Sequence, residues 1–201
     1  MAQTSSLMRS EQASFRVTTF ATGLDHPWGI AFLPEGGMQV TERPGRLRQV
    51  GMDGQVSAPI RGVPEVVAAG QGGLLDVALS PDFAQSRLIY LCHSARAEGG
   101  TLIRVTRARL DRAGLEDLRR IIDAGPPANG ANNWGCRIVF DGASKLYLST
   151  GDRFNVKMRS QRLDDLAGKI LRLEPDGRPA EGNPFIGKQG ARPEIYTLGH
   201  R

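Results

Sequence analysis

The sequence predicts an all-β fold, and three observations carry that prediction. The chain holds 25 Gly and 12 Pro in 201 residues, punctuation too dense for long helices and suited to many short strands. Short apolar runs bounded by Gly, Pro or Asp recur from Phe15 onward. One grammar also repeats: a polar loop leads into an apolar strand, a Gly-containing turn follows, and a second strand runs back. Its clearest instance is Asn132-Asn133-Trp134-Gly135-Cys136-Arg137-Ile138-Val139-Phe140, a turn at Gly142, then Leu146 to Thr150, closing on Gly151-Asp152.

The elements follow in order. Met1 to Ser14 reads as a polar tail without the 7–15-residue apolar core of a secretory signal. Phe15 to Phe20 alternates as a half-buried strand does and stops at Gly23. His26-Pro27-Trp28-Gly29 leads into Ile30 to Leu33. After the Pro34-Glu35-Gly36-Gly37 turn come strands from Met38 to Thr41 and from Arg46 to Val50, a meander. A second round opens at Gly70-Gln71-Gly72-Gly73, runs through Leu74 to Leu79, turns at Ser80-Pro81-Asp82-Phe83, and continues as Leu88 to Leu91 and Leu102 to Leu110. Leu115 to Ile122 has helix-forming composition, but its position suits an outer strand, and strand is the reading taken. The third round is the Asn132 stretch, completed by Leu166 to Leu173. Arg192 to Leu198 is expected to start a fourth.

Aligning Gly29-Ile30-Ala31-Phe32, Asp76-Val77-Ala78-Leu79 and Arg137-Ile138-Val139-Phe140 gives a period of about 45 to 60 residues, close to that of propeller blades. The expected architecture is a β-propeller: a tail at 1–14, then a partial propeller over 15–201 with three blades and the start of a fourth. Three blades and a fragment do not close a ring of four to eight, so the chain is expected to be incomplete at its C-terminus. Loops leading into the innermost strands would gather at one mouth, where function is sought.

The formal charge of +5 favours anionic partners, yet the Arg residues are scattered, which describes a solvated basic surface. With 6% aromatics there is no basic stripe with interleaved rings, so nucleic acid is not an expected partner. No run is long enough to span a bilayer, and no membrane insertion is expected. Cys92 and Cys136 are too few for a disulfide framework or a CxxC metal site and are expected as buried free thiols. His26 reads as a residue at a strand start and His93 as structural.

The residues match a known family on several separated segments: His26 to Pro34, Thr41-Glu42-Arg43-Pro44-Gly45-Arg46-Leu47, Gly70 to Asp76, Pro81-Asp82-Phe83, Gly135-Cys136-Arg137, Thr150-Gly151-Asp152, Leu166-Ala167-Gly168-Lys169 and Tyr196-Thr197-Leu198-Gly199-His200-Arg201. Together they resemble the N-terminal half of the pyrroloquinoline-quinone-dependent soluble aldose sugar dehydrogenases, the six-bladed glucose/sorbosone dehydrogenase group. The resemblance implies oxidation of the anomeric carbon of an aldose to a lactone, with the quinone as acceptor, Ca²⁺ polarising it, an external electron acceptor, and a periplasmic location that this N-terminus does not itself support. Such chemistry needs a base for the C1 hydroxyl proton and cations for the quinone carboxylates.

Carried over by position, Gln71 is expected to touch substrate or quinone and Arg201 to face the quinone. Trp28 and Trp134 hold equivalent positions in two blades, and either packs the blades or walls the ligand. The family's calcium ligands lie past Arg201, so no metal ligand is assigned. The family's base is a His four residues before the Arg of its Gly-x-Arg strand, and here that position is Asn133, which has no titratable group near neutral pH. Asn132 beside it is expected to bond a sugar hydroxyl. Two alternatives stand: a non-catalytic propeller remnant that binds sugars or partners, and a propeller lactonase, which would need an acidic cluster that Asp76 and Asp152 alone do not make.

Overall fold

The computed structural model describes residues 5–201, so the first four residues of the expected tail lie outside it. The rest of that tail adds a strand. β1 (Ser5–Arg9) pairs antiparallel with β2 (Ser14–Thr18), and Met8, Phe15 and Val17 share one face of this exposed hairpin.

Three sheets follow, each in simple up-and-down order. Sheet one holds β3 (Pro27–Phe32), β4 (Met38–Glu42) and β5 (Arg46–Val50). Sheet two holds β6 (Leu74–Leu79), β7 (Leu88–Ala97), β8 (Gly100–Asp111) and β9 (Gly114–Ala128), with one helical turn, α1 (Phe83–Ser86), after the Pro81 turn. Leu115 to Ile122 is therefore strand. Its hydrogen bonds are taken by β8, and that tertiary pairing outweighs its helical composition.

Sheet three holds β10 (Gly135–Phe140), β11 (Leu146–Thr150), β12 (Lys169–Leu173) and β13 (Ile195–Leu198). Here one expectation is corrected. The stretch from Arg192 does not begin a fourth sheet: Ile195 pairs with Leu171 and Leu198 with Lys169, so β13 is the outer strand of the third. A long loop, pinned by Asn183 Nδ2 to the carbonyls of Arg172 and Pro193, returns the chain to the free edge of β12.

Two apolar layers join the sheets. Ala31 and Leu47 of sheet one meet Val77, Ile89 and Leu91 of sheet two. The other face of sheet two, with Tyr90, Cys92 and Val105, meets Ile138, Leu148 and Leu171 of sheet three. This is the stacking of propeller blades, with β3, β6 and β10 innermost.

A second correction sits in the latter layer, where Cys92 of β7 and Cys136 of β10 are joined in a disulfide. They lie 44 residues apart on different sheets, and only the packing of one sheet on the next brings them together.

His93 is structural as expected, with Nε2 3.0 Å from Thr106 Oγ1, and burial pushes its imidazole down to about 4. A folded-state value below the unfolded ~6.5 means that this contribution is whole above about pH 6.5 and is lost as pH falls toward 4. The loss amounts to roughly 3 kcal/mol. His93→Gln is expected to flatten the fall in urea midpoint across that window, and an unchanged slope would remove His93 from the acid sensitivity.

Candidate functional site

The loops leading into β6 and β10 meet at one mouth through backbone bonds. Gln71 N donates to Ala131 O at 2.8 Å, and Arg43 Nη1 donates to Gly70 O. The approach is so close that Gly73, at φ +142°, has the Arg43 carbonyl where a Cβ would sit. Only glycine meets both demands.

The Gln71 side chain turns toward the third round, and its Oε1 accepts from Asn133 N at 2.8 Å. Asn133 adopts φ +50°, a left-handed conformation that Asn tolerates better than most residues. Its Nδ2 donates to Asp152 Oδ1 at 2.8 Å, and the same oxygen accepts from Phe154 N at 2.9 Å. Asp152 is buried. Gln71, Asn133 and Asp152 thus form one bonded cluster from three separate loops. It leaves three polar atoms without hydrogen bonds among the described residues: Gln71 Nε2, Asn133 Oδ1 and Asp152 Oδ2.

Beneath the cluster lies Trp134, which is buried. Its Nε1 donates to Ala131 O at 2.9 Å, and the Arg153 guanidinium stacks 3.5 Å from its ring centre. Arg153 is buried as well, donates to Thr101 O, Thr101 Oγ1 and Gly130 O, and is pushed down to about 10 by burial and by Arg159 nearby. Cys136, Arg153 and Phe154 also have positive φ. Non-glycine residues held in such conformations cost of order 1–3 kcal/mol each and cluster at functional sites.

The wall between the sheets is made by Asp76, whose two oxygens accept from Arg137 Nη1 and Ile138 N, each at 2.8 Å. Burial raises its carboxyl above the usual range, against the pull of Ile138 N and Arg137. Arg137 in turn lies 4.7 Å over the Trp28 ring. The two tryptophans therefore share a role, each a platform beneath an arginine.

Of the residues expected at the site, the structure joins Gln71 to Asn133 and places Trp134 under them. Asn132 is exposed beside them, its side chain unbonded among the described residues. Arg201 is not brought into contact with the cluster: it follows His200, the outer end of a ladder in which Gly151 N donates to Trp134 O, Gly168 N to Gly151 O, and His200 N to Gly168 O. Its side chain is exposed and makes no ion pair among the described residues. His26 is exposed and paired with Asp25. Sequence reasoning passed over Asp152 as a member of this cluster, although Thr150-Gly151-Asp152 marked the strand end. Nothing in the sequence marked Arg153.

Comparison with known proteins shows which chains this one is similar to. A family model described as Glucose / Sorbosone dehydrogenase matches residues 24–201. The aldose sugar dehydrogenase YliI of Escherichia coli K12 is 42% identical over 201 residues, covering 98% of this chain and 54% of that protein. The solved apo form of the soluble aldose sugar dehydrogenase from Escherichia coli superposes with a TM-score of 0.84 at 43% identity, covering 89% of this chain and 52% of that one. The PQQ-bound aldose sugar dehydrogenase of Streptomyces coelicolor does so with 0.79 at 33%, covering 100% and 55%. The chain spans about half the length of the relatives it matches.

Proposed function

Because the chain belongs to the glucose/sorbosone dehydrogenase family, we propose that it forms the mouth-bearing half of a quinoprotein that oxidises aldose sugars at the anomeric carbon to lactones. The observation that supports the reading is the Gln71–Asn133–Asp152 cluster, assembled at the mouth from three loops; Gln71 and Asp152 lie in segments that resemble the family, and Asn133 departs from it.

The donors present suit a tricarboxylate quinone. The exposed Arg201 guanidinium, without an ion pair among the described residues, would take one carboxylate, and the free Nε2 of Gln71 a carbonyl or a sugar hydroxyl. Bound there, pyrroloquinoline quinone would supply the two-electron acceptor, later reoxidised by an external acceptor. No calcium ligand is assigned in this chain: among the described residues no three His, Cys, Asp or Glu gather as a metal site, both oxygens of Asp76 are engaged, and the ligands that the resemblance implies lie past Arg201.

The chain's own residues orient the sugar. Asn133 Oδ1 can accept a hydrogen bond from the C1 hydroxyl but cannot keep its proton, and loss of a general base costs ~10²–10⁴-fold in rate. That weakness favours, as second reading, a propeller that binds quinone or sugar without turnover. The Cys92–Cys136 disulfide supports an oxidising compartment such as the periplasm, and no helix among the described residues is long and apolar enough to cross a membrane.

Titration with pyrroloquinoline quinone, followed by tryptophan fluorescence, tests the reading because Trp134 lies under the cluster. Saturable quenching is expected, weakened about tenfold by Arg201→Ala, the usual scale for one charge-assisted bond. Absence of saturable binding would overturn the quinoprotein assignment. Binding without sugar-dependent dye reduction would move the non-catalytic reading ahead.

A further inference from the structure

A cleft of about 560 Å³ opens where the outer strands of sheets one and two meet, and it shares no residue with the mouth. One wall is the segment that runs beside β5, where Ser57 N donates to Gln49 O and Ile60 N to Leu47 O. The other is formed by Arg87, just before β7, and by the Arg112-Ala113 turn between β8 and β9. The walls are tied together, since Leu115 N donates to Arg61 O at 2.8 Å and the chains approach so closely that a Cβ on Gly62 would strike Leu115 O. Both sheets are packed on each other within the described residues, so the cleft borders neither end of the stack.

Its charge is unbalanced. Arg61, Arg87 and Arg112 line it against a single carboxylate, Asp111, which accepts from Arg112 N at 2.6 Å. Arg87 is paired with Glu35, whereas Arg61 and Arg112 make no ion pair among the described residues. Arg87 also stands at φ +56°, a conformation that non-glycine residues adopt chiefly at functional positions. Its backbone is held there at both ends, the N–H donating to Phe83 O and the carbonyl accepting from Leu110 N.

Behind the arginines the lining turns apolar, then polar again. Leu110 is buried and Ile60 half-buried. Across the ladder from Gln49, and so on the same face of sheet one, lies Gln39 of β4. Gln39 is wholly buried, and neither its Nε2 nor its Oε1 has a hydrogen-bond partner among the described residues. A buried amide in that state destabilises the fold, so its presence one strand inward from the cleft points to a ligand group that meets it.

We propose that the cleft binds a small phosphomonoester with a hydroxyl-bearing body, its phosphate between Arg61 and Arg112 and a hydroxyl of the body toward the Gln39 amide. Three arginines against one carboxylate leave two positive charges, the complement of a phosphate dianion, and the guanidinium fork matches phosphate oxygens in pairs. The volume suits a small organic ligand. The inference rests on this cleft and stands independently of the quinone reading.

The test is calorimetric titration of the 201-residue chain with glycerol 3-phosphate and with inorganic phosphate, at constant ionic strength. Saturable binding at one site is expected, roughly fivefold tighter for glycerol 3-phosphate, whose hydroxyls add hydrogen bonds that the bare ion lacks. Arg61→Ala combined with Arg112→Ala should weaken it at least about tenfold. Both residues are exposed, so circular dichroism of that variant should remain native. Gln39→Leu should bring glycerol 3-phosphate down to the affinity of inorganic phosphate while raising the urea midpoint, because an apolar side chain replaces an unbonded amide. Arg201→Ala should leave phosphate binding unchanged, which separates this cleft from a quinone site at the mouth. Absence of saturable binding, undiminished binding in the double arginine variant, or equal affinity for the two probes would overturn the proposal. A lowered urea midpoint in Gln39→Leu would remove Gln39 from the site.

Discussion

Replacing Asn133 with His is expected to raise sugar-dependent dye reduction at least about tenfold, measured in a chain completed with the second half of a family member. The local geometry already suits an imidazole. Position 133 is held at φ +50°, a conformation that His tolerates nearly as well as Asn. Asp152 Oδ1 lies 2.8 Å from Asn133 Nδ2, about where Nδ1 of His would fall. The carboxylate would then hold the ring with Nδ1 protonated and Nε2 free to accept the C1 proton. Asn133→His should also bring an inflection to the pH–rate profile above ~6.5, because the neighbouring carboxylate favours the imidazolium. Adding Asp152→Asn should remove most of the gain and move that inflection. No rise with Asn133→His would mean that the proton leaves by another group.

The second large effect concerns stability. Removing the disulfide with Cys92→Ala and Cys136→Ala together is expected to cost about 4 kcal/mol, the chain-entropy value for a loop of this size. The cystine closes a 44-residue separation and lies wholly buried between sheets two and three. Against a typical total of ~5–15 kcal/mol, such a loss is a large fraction. The denaturant midpoint should fall steeply in the double variant. A midpoint equal to wild type would mean that packing of Ile138, Leu148 and Leu171 on Tyr90 and Val105 holds the sheets together without the covalent link.

The site shows why some features were open to inspection and others not. Gln71 and Asn133 each lie in a polar loop just before an apolar strand, a pattern visible in the chain. That the Gln71 carbonyl is spent on Asn133 N, and that Asp152 holds Asn133 from the far end of β11, depends on three loops meeting at one mouth. The same holds for Arg153, one arginine among many until its stacking on Trp134 sets it apart.

From β3 onward the order of strands, their turns and the blade period were determined by the sequence alone, because alternation and Gly, Pro and Asp punctuation act within a few residues of themselves. Ile30, Val77 and Ile138 could be aligned before any contact was known. The tertiary structure alone decided the Cys92–Cys136 pairing and the return of β13 to sheet three rather than to a new one. Each depends on which sheet stacks on which and on which edge is left free, distances set by packing between residues far apart in the chain, where local pattern carries no signal.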